Sequence, residues 1–250
     1  MFLIILLLVS VLLIVVSTSR YRFHPFLALL FVAVFFGLLS GMPLDTIVQS
    51  INEGFGKTIG QIGIVIIAGV IIGTFLEQSG GAYAMANRVL KLTGKKQVPL
   101  TMSIIGYFVS IPVFADSGFV ILLPLTKALS KEAKISLVGS ASALALGLAI
   151  THNLVPPTPG PIAAAGILEA NLGLVIMFGV LTSIPVLFAG WLFASKIASR
   201  VYIDPNPEIS QEEIKETLKT APSAFKSFVP ILLPIVLIVL KSISDFPTSP

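Results

Sequence analysis

Twenty-eight residues, Val98 to Leu125, contain a single charged side chain, Asp116, and lysines close in on both sides: Lys95 and Lys96 before the run, Lys127, Lys131 and Lys134 after it. Lysine and arginine gather on the cytoplasmic side of a membrane, so both ends of this apolar run belong on one face. A straight helix of that length rises about 42 Å, against about 30 Å for the hydrocarbon core. The run is too long for one ordinary span and too short for two. A re-entrant helical hairpin over about 98–126 satisfies length and charge together. Pro112 and Pro124 supply breaks, and Ala115-Asp116-Ser117-Gly118 carries the turn chemistry of a tip. A carboxylate at membrane depth is costly and persists where it faces a cavity, a partner or a transported ion.

The rest of the chain supports that setting. Charged residues make up 11% of it and hydrophobic residues 55%, with mean hydropathy +1.00, whereas soluble domains are about 25% charged. The chain reads as an all-α polytopic membrane protein. Its apolar segments are 2–18, 25–41, 59–77, 98–126, 135–169, 172–195 and 228–243, which makes about six spans plus the hairpin. Fourteen of the 16 lysines and arginines fall in four connectors, 19–24, 78–97, 127–134 and 196–227. All four share the cytoplasmic side if the N-terminus lies outside. The net charge of +4 follows from this loop bias and gives no reason to expect nucleic-acid binding. The absence of cysteine excludes disulfides, thiolate metal sites and cysteine nucleophiles; no cofactor or metal is expected. Residues 1–16 lack a basic leader and a cleavage signal, and read as a retained first span.

A second interruption follows the hairpin. Ile135 to Ile150 is apolar, and then comes Thr151-His152-Asn153-Leu154-Val155-Pro156-Pro157-Thr158-Pro159-Gly160-Pro161. Four prolines and a glycine in six residues cannot continue a helix. Ile162 to Glu169 resumes the helical pattern, so 135–169 reads as one proline-broken span. In 196–227, Ser210 and Glu213 resemble a capping box opening a short helix over 211–219.

Broken membrane helices build sites in many secondary transporters: half-helix N-termini suit anions and unwound carbonyls suit cations. Asp116 and His152 are the proton-coupling candidates, an acid in apolar surroundings and an imidazole able to exchange a proton near neutral pH. Ser117, Gly118, Thr151, Asn153, Thr158 and Gly160 are the substrate-binding candidates, offering hydroxyl, amide and backbone groups at the two breaks. The structural alternatives are an Asp116 that caps the helix after the tip and a His152 that bonds unwound backbone. Asn52-Glu53-Gly54-Phe55-Gly56-Lys57-Thr58 reads as a plain outer loop. Gly69-x-x-x-Gly73 reads as a small-residue packing face. An enzyme is not expected. There is no HExxH zinc motif, and the Ser117–His152 pair would have to meet across two breaks with a third orienting group.

Five strings in order resemble the gluconate permease family of proton symporters: His24-Pro25-Phe26, Gly54-Phe55-Gly56-Lys57-Thr58-Ile59-Gly60, Leu76-Glu77-Gln78-Ser79-Gly80-Gly81-Ala82, Phe114-Ala115-Asp116-Ser117-Gly118-Phe119 and His152-Asn153-Leu154-Val155-Pro156-Pro157-Thr158-Pro159-Gly160-Pro161. The resemblance implies proton symport of gluconate or a similar small hydroxylated carboxylate, with relatives taking other sugar acids, glycerate or D-serine, across the bacterial inner membrane. It also implies a fold of two inverted repeats, of which this chain resembles the first. On that reading 1–195 is the N-terminal transmembrane repeat, 196–227 a cytoplasmic linker, and 228–250 the start of a following membrane segment in a truncated chain. A second repeat or another chain is then an expected partner. Sodium coupling and a non-transporting subunit or fragment are the alternatives.

Overall fold

The computed structural model describes residues 1–94, 97–206, 216 and 219–245. These residues are helical, with turns between and no strand among them. They fall into two compact units, Met1–Gln61 and Ile62–Pro250.

In the first unit, α1 (Phe2–Ser19) and α2 (Pro25–Leu39) pair, and α2 opens on Pro25, whose missing N–H costs nothing at a helix start. Gly41 turns the chain in the left-handed region, at φ 82°. α3 (Leu44–Gln78) then begins; it divides into Leu44–Gly60 and Gly63–Gln78, the first piece in this unit. A Cβ on Gly37 would lie 2.6 Å from Ile47, so the glycine lets α2 and α3 close on each other. The expected outer loop at 52–58 is instead helical. Leu44, Ile47, Val48, Ile51 and Phe55 recur at helical spacing, and Gly54 and Gly56 approach nothing that would require a turn.

The second unit continues from the later piece of α3 through α4 (Gly81–Thr93), α5 (Val98–Val109), α6 (Ala115–Glu132), α7 (Leu137–Leu154), α8 (Pro159–Ile167), α9 (Leu172–Lys196), a 3-10 turn (Ala198–Arg200) and α10 (Ala224–Asp245). The connector expected over 78–97 is thus largely the helix α4. Its Ala82, Met85, Ala86 and Val89, at i, i+3, i+4 and i+7, are buried in the core. The core centres on α5 crossing α7. A Cβ on Gly106 would lie 2.6 Å from the Leu144 carbonyl, and one on Gly147 would strike the Ser103 backbone. Two glycines therefore bring the helices to backbone contact.

α5 and α6 form the hairpin. Met102 and Thr126, each twelve residues from Phe114, meet at 3.2 Å with the Thr126 hydroxyl donating to the thioether, and both are fully buried. Only antiparallel arms pair residues so symmetrically. α5, at 12 residues, rises about 18 Å, well short of a membrane crossing. The turn is Ser110–Phe114, about five residues before the tip expected at Ala115–Gly118, and α6 already begins at Ala115. Pro112 makes the break; Pro124 does not, being enclosed within α6.

Among the described residues, four helical stretches are long and apolar enough to cross a membrane: Phe2–Ser19, Leu137–Ile167, Leu172–Arg200 and Ala224–Ser244; the two pieces of α3 make a fifth if taken as one span. The chain is an all-α polytopic membrane protein; of the six apolar runs read as plain spans, the one at α2 forms a helix of only 15 residues and the one at 59–77 is a piece of the bent α3. The helix expected over 211–219 lies largely outside the described residues.

Candidate functional site

The two breaks close by the same chemistry. In the hairpin turn, the buried Ser110 hydroxyl donates to the Val113 carbonyl at 3.3 Å. In the second break, Val155–Thr158, the buried Thr158 hydroxyl donates to the Val155 carbonyl at 2.8 Å. Each hydroxyl satisfies a carbonyl that the helical ladder has abandoned. Pro156 and Pro157 have no N–H to offer, so the ladder cannot resume until α8 starts at Pro159.

One helix face carries both breaks. A Cβ on Gly73 would strike the Pro112 carbonyl at the hairpin turn, and a Cβ on Gly69, one turn earlier, would lie 3.8 Å from the Pro157 carbonyl. The Gly69-x-x-x-Gly73 face of α3 is therefore the bed on which the two interrupted helices lie side by side. Phe114 and His152 meet across the gap, edge to face, with ring centres 5.7 Å apart. Between them is a cavity of about 20 Å³ lined by Ile66, Gly69, Val70, the turn residues Ile111 to Phe114, His152 and Pro157 to Pro159. That is room for about one water. His152 Nδ1 is buried there without a hydrogen-bond partner among the described residues.

The second break is shorter than expected. α7 runs on through Leu154, so Thr151, His152 and Asn153 are helical, and α8 begins at Pro159. His152 and Thr158 line the cavity. Thr151 faces away and is fully buried, its hydroxyl donating to the Tyr107 carbonyl at 2.9 Å. Gly118 is buried against Leu148. Asn153 is exposed, its amide donating to the Ala149 carbonyl at 2.8 Å. Ser117 is half-buried, while Asp116 and Gly160 are exposed. The described residues thus do not supply the burial of Asp116 that its apolar flanks suggest. Asp116 sits within the first turn of α6, whose start carries no side-chain cap.

The two helix starts differ as anion donors. α6 opens on Ala115, Asp116 and Ser117, all with backbone N–H groups outside the ladder. In α8 the first turn is Pro159-Gly160-Pro161, so Gly160 alone has an N–H to give. Sequence reasoning did not single out Phe114 or Ile66 as parts of the site, and read Pro112 only as a helix breaker. The spacing of Gly69 and Gly73 was the available signal, and it marked the bed without saying what lies on it.

A family model described as GntP family permease matches residues 1–249. The chain belongs to this family. It is 43% identical over 252 residues to an uncharacterized permease of Haemophilus influenzae, covering 95% of this chain and 50% of that one. It is 34% identical over 240 residues to a gluconate permease of Pseudomonas aeruginosa, covering 95% and 53%. With a D-serine transporter of Escherichia coli (strain K12) the identity is 36% over 242 residues, covering 96% and 54%. The chain spans about half the length of the curated relatives it matches. No solved structure matches. These relatives are named permeases and transporters, and the two interrupted helices lie in a chain of the same family.

Proposed function

We propose that the chain forms one half of a proton-coupled permease for gluconate or a similar small hydroxylated carboxylate in the bacterial inner membrane, with its N-terminus outside and the α5–α6 hairpin re-entrant from the cytoplasm. The observation that carries this reading is the meeting of both interrupted helices around His152 on the glycine face of α3. His152 and Asp116 carry the proton. Each belongs to the end of a helix that borders a break, and the His152 imidazole keeps a buried nitrogen that no group among the described residues satisfies. The α6 N–H groups, with Ser117, Asn153, Thr158 and Gly160, meet the carboxylate and hydroxyls of the substrate. Thr151 and Gly118 hold the arms in place. A cavity of about 20 Å³ is too small for a six-carbon acid, and Asp116 and Gly160 are exposed, so protein beyond these 250 residues, in the same polypeptide or another, completes the site.

The test is uptake of labelled gluconate, glycerate and D-serine into proteoliposomes holding the full-length polypeptide, driven separately by proton and by sodium gradients. Proton-driven uptake is expected, abolished or uncoupled in Asp116→Asn and His152→Gln. Uptake that follows sodium and ignores the proton gradient, or variants that retain full proton coupling, would overturn the assignment.

A further inference from the structure

Away from the broken helices, a groove of about 760 Å³ opens in the second unit between α4 and the start of α10. Arg88 and Lys91, three residues apart on α4, stand exposed at one wall. Neither has an ion-pair partner among the described residues, and no acidic side chain lines the groove among them. The opposite wall is apolar: Phe225, Phe228 and Leu232 on α10, with Phe108 of α5 behind them. Phe108 meets Phe228 edge-on at 6.3 Å, which fixes the inner wall.

The membrane position of these walls follows from α10. Ala224–Ser244 is long and apolar enough to cross a bilayer, so Ala224 and Phe225 sit at its end, at the level of lipid headgroups. Phe228 and Leu232 lie about one and two turns deeper along it. The groove therefore presents two cations, unpaired among the described residues, beside an aromatic and aliphatic trough that leads from the end of α10 into its apolar length. That is the chemistry of an anionic phospholipid, phosphate uppermost and acyl chain beneath, and basic pockets beside membrane helices hold such headgroups. A soluble anion would use the cations and leave the trough empty; a zwitterionic lipid would use the trough and gain little from the cations.

We propose that this groove is an anionic phospholipid site, with Arg88 and Lys91 binding the phosphate and Phe108, Phe225, Phe228 and Leu232 receiving an acyl chain. Native mass spectrometry of the detergent-purified full-length polypeptide, titrated in parallel with phosphatidylglycerol and phosphatidylcholine, tests it. The unaltered protein retains phosphatidylglycerol in preference. Arg88→Gln and Lys91→Gln each reduce that preference about fivefold, the effect of one cation near an anionic surface, and Arg88→Lys preserves it. Both glutamine variants change exposed side chains, and unchanged elution and helical circular dichroism verify folding. Equal retention of the two lipids by the unaltered protein would show that Arg88 and Lys91 do not select an anionic headgroup, and would overturn the proposal. So would an undiminished preference in the Arg88→Gln, Lys91→Gln double variant.

Discussion

His152 stands in an unusual position for a polar side chain: Nδ1 is buried, unbonded among the described residues, and beside a cavity of water size. Leaving such a group unsatisfied costs about 1–3 kcal/mol, so a purely structural histidine would be poorly served there. His152→Phe is accordingly expected to leave thermal stability unchanged or raised, while proton-driven uptake is lost; a stability loss with uptake intact would point to a packing role. Gly73 is the opposite case, a residue whose value is having no side chain. Gly73→Ala pushes a methyl group into the Pro112 carbonyl, and overpacking of this kind costs about 1–3 kcal/mol. The expected result is a lowered melting temperature in detergent together with reduced uptake, where Gly60→Ala, which meets nothing within 4 Å, leaves both intact. His152 and Asp116 were visible in the sequence as polar groups stranded in apolar runs. Phe114 was not, because an aromatic residue in a hydrophobic segment carries no signal until a partner ring is placed opposite it.

Among the elements, the two interrupted helices show which parts of a fold local sequence encodes. Proline placed the second break, since Pro156 and Pro157 cannot donate to the ladder. It misplaced the first, because Pro112 and Pro124 are equally capable breakers in isolation. Packing decides between them: α6 keeps Pro124 inside a helix whose Leu122, Leu125 and Thr126 are buried. Likewise the polar surface of 78–97 suggested a connector, although its small apolar residues recur at helical spacing and α4 buries them. Another device was hidden by its non-local partners. The Ser136 hydroxyl accepts from the Val138 and Ile203 N–H groups and donates to the Val201 carbonyl at 2.7 Å, so one side chain caps α7 and ties down the segment after α9. Ser136→Ala removes all three bonds. The cap alone is worth about 0.5–2 kcal/mol, and a fall in melting temperature with faster proteolysis near residues 201–206 is expected. An unchanged cleavage pattern would mean that the segment is held by other contacts.

For the whole molecule, charge and apolar length were the legible quantities, and they sufficed for a polytopic helical class. The side of the membrane on which each connector lies remains a proposal built on the basic residues. One such connector contact responds to pH. The Asp204 carboxyl is held below the ordinary carboxylate range, first by the Asn206 N–H and then by Lys131, 3.4 Å away. A carboxyl lowered on folding contributes stability above its unfolded value and loses it as pH falls through its folded one. Any difference in melting temperature between the native protein and Asp204→Asn should therefore be present at neutral pH and vanish in acid; a difference that grows in acid would contradict the assignment. The bed formed by Gly69 and Gly73 has its own consequence at this scale. Both halves of the site ride on one chassis, so if the proposed transport holds, the hairpin turn and the second break should travel together as the site changes the side to which it opens. Spin labels beside Pro112 and Pro157 would then report one unvarying separation throughout the transport cycle, and the alternation would have to be sought in the displacement of this whole carriage against its surroundings.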